Sequence, residues 1–107
     1  MNSDILLGLI LFMWGYLLYE LFDYVRQGYI EKHIEEKHAF YSKSKWTMTR
    51  KYCAFYGYDL EILQHDKKWE VRIEVVRRGY NLEYFLQDEN ELVRKEAERL
   101  LRNKQTN

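Results

Sequence analysis

GYDLEILQHD (Gly57 to Asp66) and GYNLEYFLQD (Gly79 to Asp88) superpose at a spacing of 22 residues, 79 minus 57. The same offset brings Arg50, Arg72 and Arg94 into register, and with them Cys53, Val75 and Ala97. A period this short predicts stacked supersecondary units that bury apolar faces only against one another. Each unit reads as a helix of about 10 residues, about three turns. It stops at Gly57 or Gly79, in the left-handed conformation that glycine adopts cheaply, and a short second helix capped by Asp59 or Asn81 follows. The final copy, Asp88 to Leu101, sets Asp88 and Glu91 as a capping box but lacks the Gly-Tyr pair, so it reads as a terminal cap.

Working outward, Ser42-Lys43-Ser44-Lys45 interrupts the apolar pattern upstream of the units and marks the clearest boundary in the chain. Before it, residues 24–43 carry Val25, Tyr29, Ile30, Ile34 and Tyr41 at helical spacing, an amphipathic connecting helix and linker with Gly28 as its expected kink. Fewer than three full units would leave the stack short of a continuous core, so this helix is expected to complete it.

Residues 1–23 read differently. From Ile5 to Tyr19 there is no charge (ILLGLILFMWGYLLY), and the apolar run continues through Phe22 with Glu20 as its one interruption. Residues 5–22 as a helix span roughly 27 Å, close to the roughly 30 Å hydrocarbon core of a bilayer. Trp14, Tyr16, Tyr19, Phe22 and Tyr24 gather toward one end, as interfacial rings do. A cleaved leader would have a basic flank and small residues before its exit, and neither is present. Every Lys and Arg lies at or after Arg26, which by the positive-inside rule predicts a single-pass protein of the cell membrane with its N-terminus outside and the rest cytoplasmic. The competing reading buries the same helix in a homo-oligomer or against a partner.

The stretches Asp66-Lys-Lys-Trp-Glu-Val71-Arg72-Ile-Glu-Val75 and Asp88-Glu-Asn-Glu-Leu-Val93-Arg94-Lys-Glu-Ala97 resemble the D-x4-VR-x2-A signature of HEAT-like repeats. The short period with Gly-Tyr-x-Leu is similar to the abbreviated repeats, close to leucine-rich-repeat variants, of bacterial and phage proteins. The likeness covers residues 44–101; the first copy departs from it, with Ser44 in place of Asp and Thr49 in place of Val. It implies an all-α fold: a transmembrane helix, an amphipathic helix, then a short α-solenoid of about two and a half units. It also implies a structural ladder of Arg50, Asp66, Arg72, Asp88 and Arg94, in which Asp caps a helix and Arg bonds between units. Such families serve mainly as binding surfaces.

Composition narrows the function. Seventeen Lys and Arg balance seventeen Asp and Glu, with a net of plus three over residues 26–107. The pairs Arg50-Lys51, Lys67-Lys68 and Arg77-Arg78 recur near the period and could touch phosphates of nucleic acid or of lipid, but Asp66, Glu70 and Glu74 lie among them. That argues against a nucleic-acid binder. A lone cysteine, Cys53, forms no internal disulfide and occupies a small apolar position, as a buried thiol does. His33, His38 and His65 miss metal-ligand spacing and read as solvated. No phosphate loop, nucleophile triad or paired carboxylate stands out, so neither a cofactor nor a catalytic residue is expected.

The expectation is therefore a non-enzymatic adaptor, tethered by residues 5–22, that contacts a protein partner through Tyr56, Tyr58, Arg77, Arg78, Tyr80 and Tyr84. Tyrosine and arginine offer large contact area at small entropic cost. The alternative is a membrane-active, phage-type protein acting through an oligomerised N-terminal helix. Residues 102–107 read as a disordered tail.

Overall fold

A computed structural model describes residues 2–106, and every regular element among them is an α-helix. The chain divides into two compact units, one ending at Lys32 and the other beginning at His33. The helix α1, Ser3–Tyr41, runs through the first unit from Ser3 onward and opens the second.

In the first unit the apolar side chains up to Tyr29 stand uncovered, and only Ile30, at its C-terminal end, is buried among the described residues. Every large hydrophobic residue from Ile5 to Tyr29 is at least 42% exposed, and the 18-residue window apolar enough to cross a membrane is 0% buried. The expected kink at Gly28 does not form: that residue stays helical with open space around it. The departure from helical geometry lies at Lys37 instead (φ −121°, ψ 16°), and His38 to Tyr41 form one further turn after it.

The second unit continues with α2 (Thr47–Phe55), α3 (Leu60–Leu63), α4 (Trp69–Arg77), α5 (Leu82–Phe85) and α6 (Glu91–Thr106). The longer helices pack in series, α2 on α4 and α4 on α6, with α3 against α4 and α5 against α6. Cys53, Val75 and Ala97, the three positions in register, are each fully buried. Small side chains there let successive helices approach. Leu63, Val71, Val76, Phe85 and Val93 are sealed beside them, each burial stabilising by about 1.5–3 kcal/mol, and Ile34, Tyr41, Tyr52, Ile73 and Leu82 extend the core.

The helix stops follow one pattern. Gly57 (φ 85°) and Gly79 (φ 77°) are left-handed. Gly57 N donates to Ala54 O at 2.9 Å while Tyr58 N donates to Cys53 O at 3.1 Å; Gly79 N and Tyr80 N do the same to Val76 O and Val75 O. These paired bonds satisfy carbonyls that the helix ends leave open.

The caps differ from expectation. Asp59 (φ 54°) and Asn81 (φ 51°) precede the short helices, but both are left-handed and neither side chain caps. Asx residues tolerate that conformation, and their side chains turn outward to other partners. Nor do Asp88 and Glu91 form a capping box. Asn90 Oδ1 instead accepts from Leu92 N (2.9 Å) and Val93 N (3.3 Å), and Glu91 pairs with Lys95 at 3.0 Å. The chain expected to be disordered from residue 102 is helical to Thr106, whose hydroxyl donates to Asn103 O; Asn107 lies outside the described residues.

Candidate interaction surfaces

The polar interior is organised around arginine. Arg50 is buried and grips Asp66 through two bonds, Nε to Oδ2 at 2.7 Å and Nη2 to Oδ1 at 3.2 Å, while its Nη1 donates to Ser44 O at 2.8 Å. Twenty-two residues on, Arg72 grips Asp88 at 2.9 and 3.1 Å and donates to Asp66 O at 2.8 Å. Arg94 donates to Asp88 O at 2.6 Å. The hydrogen bond with Asp88 pushes the Arg72 guanidinium above its ordinary value against the opposing effect of burial. Removing one member of such a pair strands a buried charge, at a cost of about 3–5 kcal/mol. Asp66 and Asp88 also accept from the backbone two residues on, Lys68 N and Asn90 N, each at 2.9 Å, which fixes the loops that lead into α4 and α6.

The six residues expected to meet a partner differ in their local settings. Tyr58 is half-buried and stacks on His38, ring centres 4.9 Å apart at 22°. His38, read from sequence as solvated, is half-buried with Nδ1 2.9 Å from Asp59 Oδ2. Beneath them Cys53 Sγ lies near His38 O, Tyr58 O and Asp59 Oδ2. Burial, reinforced by the Asp59 carboxylate, pushes this thiol up to about 12, so the Cys-His-Asp grouping holds an unreactive thiol rather than a nucleophile. Tyr56 is half-buried with its ring edge-on to Phe55, and Tyr80 lines a depression of about 370 Å³ with Gly57, Leu60 and Ile62. Tyr84 is exposed, its hydroxyl 3.2 Å from His65 Nδ1, at the rim of a polar groove of about 590 Å³.

Arg77 and Arg78 do come together. Arg77 belongs to two depressions. One, of about 590 Å³, is lined by Trp69, Ile73 and Leu92 together with Arg77, Lys95, Arg99 and Arg102 and the two acids Glu96 and Glu98. The other, of about 310 Å³, is lined by Arg77, Arg78, Leu82, Leu100 and Lys104. Arg77 is held by the buried Glu74 at 2.8 Å and Arg99 by Glu96 at 2.6 Å. The hydrogen bond from Arg99 lowers the Glu96 carboxyl below its ordinary range. Sequence reasoning missed Trp69, Leu92, Arg99, Arg102 and Lys104. The 22-residue step from Arg77 to Arg99 was the available signal, whereas the contribution of Trp69 and Leu92 to one groove depends on how α4 crosses α6.

Among the described residues no cluster of three or more His, Cys, Asp or Glu side chains could hold a metal ion. No family model, no curated protein and no solved structure matches this chain.

Proposed function

We propose that this protein is a membrane-anchored helical-repeat adaptor: residues 5–22 span a bilayer, and a short α-solenoid of HEAT-like units on the cytoplasmic side docks a protein partner. One observation carries the reading. A helix long and apolar enough to cross a membrane has its apolar window wholly uncovered, next in sequence to a unit whose core is closed. Leaving those side chains in water would forgo roughly 1.5–3 kcal/mol for each large one, so they require an apolar solvent. The recurring Arg-Asp pairs at 22-residue intervals support the repeat reading. Docking is assigned to the groove in which Trp69, Ile73 and Leu92 stand among the cations Arg77, Lys95, Arg99 and Arg102 and the acids Glu96 and Glu98, an apolar and net-basic lining suited to the apolar face of an amphipathic helix with acidic flanks.

The test uses the full chain in native membranes. Alkaline extraction should leave it in the membrane fraction, and protease should remove a tag at the N-terminus only from the outer face. Substitution of Trp69→Ala with Arg102→Glu should weaken cross-linking to the bound partner at least tenfold without releasing the chain from membrane. Extraction of the intact chain by alkali contradicts the anchor, and undiminished cross-linking contradicts the groove.

A further inference from the structure

The connections at residues 42–46, 64–68 and 86–90 lie side by side, because arginine ties them in sequence. Arg50 holds both Ser44 O and the Asp66 carboxylate, and Arg72 holds both Asp66 O and the Asp88 carboxylate. Their exposed residues therefore form one edge, and its composition changes along the row. The first connection presents Lys43, Lys45 and Trp46, the second His65, Lys67 and Lys68, and the third Leu86, Gln87 and Glu89. Asp66 and Asp88 do not offset the lysines, since each is engaged by a buried guanidinium. Close to this edge in sequence stand the half-buried Glu70, the exposed Glu89, and the exposed Glu91, which pairs with Lys95.

The chain around the first connection is equally one-sided: residues 37–58 contain five Lys and Arg and no acid. Two large rings stand there in solvent, Phe40 at 74% and Trp46 at 60% exposure. Lys43 N donates to Phe40 O at 3.3 Å, and Lys45 Nζ lies 5.8 Å from the centre of the Trp46 ring. The connection is well braced, with Ser42 Oγ donating to Ala39 O, Trp46 N to Ser44 Oγ, and Arg50 to Ser44 O. Among the described residues Lys43, Lys45, Lys67 and Lys68 form no ion pair.

We propose that this edge, Lys43, Lys45, Trp46, Lys67 and Lys68 with Phe40 beside it, binds the anionic headgroups of a lipid bilayer. Lysine ammonium groups are attracted to the negative leaflet surface, and an indole or phenyl ring settles at the headgroup boundary. The occupant follows from charge complementarity and from tethering. The inference rests on the anchored reading above, under which a bilayer is held at high effective concentration on the same chain.

The experiment places the full chain in single-bilayer nanodiscs and follows backbone hydrogen exchange in the three connections. Discs of neutral phosphatidylcholine are compared with discs containing anionic phosphatidylglycerol. Anionic discs should slow exchange at residues 42–46 and 64–68 at least about fivefold, the size of one lysine-headgroup attraction. Exchange at 86–90, the internal control, should not change. Added salt should reverse the protection, free inorganic phosphate should not produce it, and Lys43→Gln with Lys45→Gln should abolish it. Equal rates in both discs, or protection of all three connections alike, overturn the proposal. A chain that stays out of neutral discs yet is protected on anionic ones retains this surface and loses the anchor; one that engages neither loses both.

Discussion

The stretch from Ile5 to Tyr29 and the stretch from Thr47 to Ala97 are both rich in large apolar residues, and they use them in opposite ways. In the first, every such side chain is exposed; in the second, the small positions in 22-residue register, Cys53, Val75 and Ala97, are sealed. The difference shows that hydrophobic content alone does not make a core. Cys53, Val75 and Ala97 are buried because other helices of the same unit come to meet them, whereas the helix over residues 5–29 has no such cover within its unit. Its stability must come from outside, and the rest of the chain supplies its own.

That contrast can be broken from either side. The largest expected effect is Arg72→Ala, which strands Asp88 inside the second unit and should lower its unfolding free energy by about 3–5 kcal/mol in denaturant titration, with retention in membranes unchanged. Leu11→Arg should act the other way round. It adds about 2.5–3.5 kcal/mol to insertion of the first helix, measured as loss of membrane retention, and should leave the melting of residues 33–106 untouched.

Smaller effects sharpen the account of the second unit. Gly57→Ala should cost about 1–2 kcal/mol for its left-handed backbone, and only slightly more than Gly79→Ala, because the flexible Arg78 tip beside Gly57 can swing aside. A Cβ at Gly57 would lie 2.8 Å from Arg78 Nη2, while one at Gly79 meets nothing within 4 Å. Comparative thermal melts of the two variants check the ranking. Cys53 gives the smallest effect. Because the folded thiol is raised from 9.0 to about 12, its contribution is complete below pH 9 and is lost as pH climbs toward 12, when the unfolded chain ionises first. Stability should fall by about 1 kcal/mol at pH 10, and iodoacetamide should label Cys53 at neutral pH only on unfolding.

The sequence was informative where a structural need falls on one residue type at a fixed interval. Gly57 and Gly79 had to be glycine, the three small core positions had to be small, and the all-helical character followed. Side chains with several competing partners were harder to read. Asp59 and Asn81 were suited to capping but serve Cys53, His38 and Gln64 instead, and Asn90 took the cap expected of Asp88. His38 appeared solvated because its neighbours in sequence are charged, yet its ring is set by Tyr58 and Asp59, some twenty residues away. The groove was hidden for the same reason: Trp69, Arg77, Leu92 and Arg102 share it only once α4 lies against α6.

The central claim, that lipid is the solvent for the opening helix, is met most directly by flotation of the purified full chain with neutral phosphatidylcholine vesicles in high salt, where electrostatic attraction is screened. The account predicts that the chain rises with the vesicles and that Leu11→Arg leaves it behind. A wild-type chain that remains at the bottom of the gradient as a detergent-free, water-soluble oligomer would contradict it.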